Sequence, residues 1–139
     1  MSPPQPRRAT VLVYSSRAQT RERVQNALGR RPAPGLELDY ADAATGDEVV
    51  ARCDEGGVDL AILDGEATPT GGIGLCRQLK DELDDPPPTL LLIGRRDDAW
   101  LATWSRAEGV VPHPIDAVTL TVAVTSLLGV TSDVVATTH

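Results

Sequence analysis

The chain has no phenylalanine, and aromatic residues fill only 3% of its 139 positions. A core at this length must therefore be assembled from Val, Leu, Ile and Ala. Cysteine is almost as scarce, with only Cys53 and Cys76 and no CxxC pair. That excludes a disulfide framework and a cysteine-rich metal site. Both thiols read as small core residues, and a reducing cytoplasm is the expected location. Basic charge is in deficit: 13 Lys and Arg face 20 Asp and Glu, a net charge of −7. Such a field repels phosphate backbones and anionic lipid, so neither nucleic acid nor membrane insertion is expected. No apolar run reaches the roughly 20 residues of a membrane span. The N-terminal MSPPQPRRAT lacks the apolar stretch of a secretory signal. A glycine-rich phosphate loop is also missing after the first apolar segment, where SSRAQTR stands instead. This weakens, without removing, the reading of a small cofactor binder or enzyme.

What is present is a regular alternation. Met1 to Arg8 is Pro-rich and reads as a disordered arm, residues 9–130 as one folded domain, and residues 131–139 as a flexible tail. Apolar strands are expected at Thr10–Tyr14, Leu36–Ala41, Val58–Leu63, Thr89–Ile93 and Val110–Val111. Between and after them, helices are expected at Arg17–Arg31, Thr45–Cys53, Ile73–Leu83, Asp97–Ala107 and Asp116–Leu128. A serine after the first strand is a candidate N-cap for the first helix. Thr45, with Glu48 three residues on, forms a capping-box pattern. Five apolar strands alternating with helices imply an α/β fold: a doubly wound parallel sheet with helices on both faces. In such sheets the chemistry sits at the carboxyl ends of the strands. That rule selects Ser15, Ser16, Asp64, Gly65, Glu66, Gly94, Arg95 and His113.

With those residues in place, a resemblance emerges. VDLAILDGE, with Gly72 eight positions after Asp64, is similar to the third strand and following loop of response-regulator receiver domains. TLLLIGRRDD is similar to their fourth strand and next helix start, EGVVPHPIDAVTL to the fifth strand and last helix, and VLVYSSRAQTRERVQNAL to the first strand and helix. The resemblance runs from Thr10 to Leu128. It implies a flavodoxin-like receiver fold with strand order 2-1-3-4-5, and it places Asp64 where such domains carry a phosphoacceptor. Three supports accompany that aspartate in the family: an acidic pair that holds Mg²⁺, a Thr or Ser that meets the phosphoryl group, and a Lys that neutralises it. This sequence departs at all three, with Ser15 and Ser16 for the acidic pair, Gly94 for the hydroxyl and His113 for the Lys. Only Asp64 and Pro114 are kept, and a cis bond before Pro114 is expected.

Asp64 and Glu66 alone make a poor Mg²⁺ site. No resident cofactor is expected, and metal-assisted phosphorylation should be slow or absent. Arg17, Arg95 and Arg96 follow the first and fourth strands. Either one of them pairs with Asp64, or all point to solvent. Two further features bear on partners. Ala117 to Ser132 contains no charged residue, so the last helix is a candidate face for a homodimer or another protein. Trp100 and Trp104 share one helix face. Either they pack inward beside Leu101, or one is exposed as an anchor. The interaction face expected on these grounds comprises Trp100, Trp104, Val110, Leu120 and Val124. Together these features describe a non-enzymatic, stand-alone receiver-like protein of phosphorelay signalling. Its partner would be a histidine kinase or a downstream target. The alternative is a phosphorylation-independent binding module.

Overall fold

The computed structural model describes residues 6–67, 71–94 and 100–129. Five strands, β1 (Arg7–Tyr14), β2 (Leu36–Ala43), β3 (Leu60–Asp64), β4 (Thr89–Ile93) and β5 (Gly109–Pro112), pair in parallel in the order β2-β1-β3-β4-β5. Five helices alternate with them: α1 (Ala18–Leu28), α2 (Gly46–Glu55), α3 (Gly72–Glu82), α4 (Trp100–Ser105) and α5 (Ala117–Leu127). The expected fold class and strand order are those observed.

The sheet is covered on both faces because successive strand side chains point to opposite sides. In β1, Val11 and Val13 join Val24 and Leu28 of α1 and Leu120 and Val124 of α5. Leu12 and Tyr14 point the other way, onto Val49 and Cys53 of α2 and Leu75, Cys76 and Leu79 of α3. Each aliphatic side chain so buried contributes about 1.5–3 kcal/mol relative to exposure. Both thiols are interior. Burial pushes the Cys53 thiol up to about 11 and raises that of Cys76, which also touches Thr89 Oγ1 at 3.1 Å. Neither thiol should react with Ellman's reagent near pH 8 in the native protein, and both should react once it is unfolded. Rapid reaction of one thiol in the folded state would contradict this packing.

Several boundaries differ from expectation. The segment expected as an arm contributes the start of β1: Arg7 and Arg8 pair with Leu36 and Glu37. Their charges are met, Arg8 by Asp39 at 3.0 Å and Arg7 by the Leu128 carbonyl. No serine caps α1. The cap position is Arg17, without a side-chain hydrogen bond. At α2 the cap is as expected: the Glu48 N–H donates to Thr45 Oγ1 at 3.2 Å. The Glu48 carboxylate, however, receives the Ala44 N–H, one residue before the cap. Asp116 caps α5, accepting from the N–H and hydroxyl of Thr119. The α4 start expected at Asp97 or Asp98, and the tail from 131, lie outside the described residues.

Candidate phosphoacceptor site

Asp64 closes the central strand, and the residues that end β1, β4 and β5 converge on it. Its side chain is nearly buried. Ser15 Oγ donates to one carboxylate oxygen at 2.8 Å, and the Glu66 N–H donates to the other at 2.9 Å. His113 Nε2 lies 3.6 Å from that second oxygen, a charge contact when the ring is protonated rather than a hydrogen bond. Burial, and behind it the charge of Asp64, raises the Tyr14 hydroxyl above its usual range.

Each neighbour is positioned by the backbone. Ser15 Oγ also accepts the Arg17 N–H at 3.1 Å, which sets its rotamer as the chain enters α1. Arg21 donates to the Ser15 carbonyl and pairs with Asp42 at 3.1 Å, tying α1 to the end of β2. His113 is fixed by its N–H on the Ile93 carbonyl at 2.8 Å, and the His113–Pro114 bond is cis, as expected. At Gly65 a Cβ would sit 2.7 Å from the Leu92 carbonyl oxygen, so the loop leaves β3 through a gap that only glycine fits.

The least expected contact is at Gly94. A Cβ there would collide with Glu66 Oε1, with the carboxyl carbon 2.9 Å away. The Glu66 carboxylate therefore occupies the space that a hydroxyl side chain at position 94 would use. The contact is made by the far end of an exposed side chain, so a larger residue at 94 requires only that the Glu66 carboxylate move aside. Ser15, Asp64, Glu66, Gly94 and His113 are thus brought together. Ser16 is exposed, and Pro114 sits on the adjoining surface beside a groove of about 550 Å³ shared with Val110 and Thr119. Arg95 and Arg96 lie outside the described residues. Arg17 lines the site, but among the described residues no arginine pairs with Asp64; the basic side chain near its carboxylate is His113, at 3.6 Å. Sequence reasoning missed Thr20 and Arg23, which join Arg17 in lining a cavity of about 190 Å³ over Asp64, Glu66, Gly94 and His113. Their spacing from Arg17 by three and six residues on a helix was the signal available.

The expected interaction face needs correction. Leu120 and Val124 are fully buried in the core and cannot contact a partner. Val118 is the exposed large apolar residue of α5. Trp100 and Trp104 do not pack inward; they are 65% and 48% exposed, and Arg77 stacks over Trp104 at 4.9 Å. Acrylamide should quench both fluorophores efficiently. Emission shielded to the degree of a buried indole would contradict this exposure.

Whether the site fits Mg²⁺ follows from its donors. Mg²⁺ demands near-octahedral oxygen ligands and is usually anchored by more than one converging carboxylate or phosphate. Here the Asp64 oxygens are engaged by a hydroxyl and an N–H, and the Glu66 carboxylate is turned onto Gly94. Among the described residues no group of three or more His, Cys, Asp or Glu is placed to hold a metal. The donors do not fit the ion.

A parallel 2-1-3-4-5 sheet with an aspartate closing its central strand, overhung by the ends of its neighbours, is the architecture of a receiver domain. No family model matches the chain. It is 60% identical over 119 residues, 85% of its own length and 90% of theirs, to proteins named as uncharacterized response regulatory proteins in two strains of Mycobacterium tuberculosis, CDC 1551 / Oshkosh and H37Rv. The chain belongs to the response regulator family and carries the receiver domain of two-component signalling. Solved structures agree on the fold. The Francisella response regulator 1452 receiver domain matches with a TM-score of 0.73 at 16% identity, over 87% of this chain and 97% of that one. A chain of the co-crystal of the yeast histidine phosphotransfer protein Ypd1 with the Ssk1 receiver domain matches with a TM-score of 0.73 at 18% identity, over 86% and 88%. No helix of the described residues is long and apolar enough to cross a membrane.

Proposed function

We propose that this receiver domain signals through protein–protein contact in a state that does not depend on Mg²⁺-assisted phosphorylation of Asp64, and that it needs no resident cofactor. One observation carries the reading: the Glu66 carboxylate fills the space over Gly94 while Ser15 and the Glu66 N–H hold both oxygens of Asp64. An attacking carboxylate must approach a phosphoryl group whose charge is neutralised, and that electrostatic term is usually the largest in such transfers. Here a second carboxylate stands beside the nucleophile, and an imidazole replaces the family's ammonium. On this reading the domain acts as a binding module of the cytoplasm rather than as an enzyme. Its partner is a histidine kinase, a downstream protein or a second copy of the chain. The exposed Trp100 and Trp104 and the charge-free α5 support such contacts. Acetyl phosphate labelling of wild type and Asp64→Asn tests the first half of the proposal. Sedimentation of both proteins, with and without acetyl phosphate, tests the second: the oligomeric state should be the same in all four samples. A state that changes only in phosphoryl-donor-treated wild type would overturn the reading.

A further inference from the structure

We infer that the end of the domain opposite Asp64 is a self-association face, on which two copies of this chain meet tail to tail. The first observation is its shape. β3 begins at Leu60, level with Val11 of β1. Residues 7–9 of β1 and the paired start of β2 therefore project about 10 Å beyond it. The projecting pair forms a ridge, and the C-terminal ends of α2 and α3 form a lower shelf beside it. The second observation is how charge divides between the two. The ridge, with the turn after α1, carries four exposed arginines, Arg7, Arg8, Arg30 and Arg31. Two carboxylates serve them: Asp39 pairs with Arg8, and Glu37 is shared by Arg30 and Arg31, while Arg7 is held by the Leu128 carbonyl. The shelf carries six exposed carboxylates: Asp54, Glu55, Asp59, Glu82, Asp84 and Asp85. Among the described residues, the one ion pair that any of them makes is Glu55 with Arg52 at 3.7 Å. Asp54, Glu55 and Glu82 also stand in the last turn of a helix, where the macrodipole opposes negative charge. The shelf is thus unfavourable in the isolated chain, and a basic surface laid against it relieves the strain of like charges.

A second copy supplies that surface. Ridge and shelf lie side by side on one end, so a twofold axis between them sets each ridge on the other copy's shelf, with charge matched twice over. The net charge of −7 favours this occupant over nucleic acid or anionic lipid, which would meet the carboxylates along with the arginines. Charge rather than apolar area is the basis of the contact, so the dimer is salt-sensitive and exchanges readily. Joined at this end, both copies leave Asp64 facing outward. One dimer then offers two carboxyl-terminal sheet ends to partners at once. The contact is independent of the state of Asp64.

Analytical ultracentrifugation of the whole chain over a concentration series tests the proposal at two salt concentrations. At about 0.1 M the Debye length of about 10 Å screens the two net charges more than the contacts, and at about 0.5 M both are weakened. A dimer is expected at the lower salt, with about tenfold or more lost in affinity at the higher. Reversing the ridge (Arg30→Glu with Arg31→Glu) or the shelf (Glu82→Lys with Asp84→Lys and Asp85→Lys) should abolish it. All five residues are exposed, and circular dichroism checks that each variant folds. Mixing the two reversed chains should restore a dimer, because each then meets the opposite charge at both contacts. Asp64→Asn should dimerise as wild type does. A wild-type chain that stays monomeric at the lower salt, a dimer indifferent to both reversals, or reversed chains that fail to rescue each other would overturn the face. So would a dimer lost on Val118→Glu instead, which would assign the contact to α5, and so would wild-type monomers that bind phosphatidylglycerol vesicles through the ridge arginines.

Discussion

Alanine at Gly72 should destabilise the domain by about 2–3 kcal/mol, whereas alanine two residues later, at Gly74, should stabilise it by about 0.5–1 kcal/mol. Both glycines lie in the first turn of α3, so helix propensity alone predicts the same gain at each. Their surroundings differ. A Cβ on Gly72 would lie 2.7 Å from the Asp64 carbonyl oxygen, 2.8 Å from its carbonyl carbon and 3.0 Å from that of Leu63. All three are backbone atoms of the central strand, which cannot rotate aside as a side chain would. Relief requires α3 to lift from the sheet, and with it Leu75, Cys76 and Leu79 from the core. At Gly74 nothing lies within 4 Å of the added carbon. Urea unfolding of both variants measures the contrast, and equal effects of the same sign would refute the close approach of α3 to Asp64.

The second large effect concerns the metal. Ser15→Asp restores one carboxylate of the family's acidic pair at a point where Ser15 Oγ now lies 2.8 Å from the Asp64 carboxylate. In the absence of metal, two like charges about 4 Å apart repel by about 4 kcal/mol in a protein-like dielectric, part of which proton uptake relieves. The lost Ser15 hydrogen bond adds to the penalty. The variant should therefore melt about 10 °C below wild type in EDTA. Mg²⁺ should recover much of that loss by binding between the two carboxylates, and Ser16→Asp in addition should strengthen the recovery. Wild type should melt at the same temperature with Mg²⁺ or EDTA. A wild-type rise with Mg²⁺ as large as the variant's would show that the native donors already hold the ion.

Much of this architecture is legible in residue order. TLLLI gives β4 to the residue, because an apolar β-branched and leucine run between a triple proline and a glycine has one reading. The start of β1 is hidden. Arg7 and Arg8 look like solvent residues until Asp39 and the Leu128 carbonyl, both distant in sequence, are seen to receive them. The inner face of α5 is hidden for another reason. With no charged residue in the helix there is no polar stripe to mark the outside, so the buried Leu120 and Val124 were assigned to the surface while Val118 carries it. At the site, the strand-end rule finds Ser15, Asp64, Gly94 and His113, because backbone geometry alone delivers them. It does not find the Glu66 carboxylate over Gly94, which depends on a side-chain rotamer filling the space that a missing Cβ leaves. Thr20 and Arg23 lie on a helix one turn and two turns beyond the strand end, a reach that strand-end reasoning does not extend to.

The central claim is that Asp64 keeps the family's position without its reactivity. Intact-mass measurement after incubation with acetyl phosphate and Mg²⁺ tests it most directly, on wild type, Asp64→Asn, and a chain carrying Ser15→Asp, Ser16→Asp, Gly94→Thr and His113→Lys together. The account predicts no phosphoryl adduct on wild type or Asp64→Asn over the time in which the fourfold variant acquires one. Ready labelling of wild type that disappears in Asp64→Asn would contradict it.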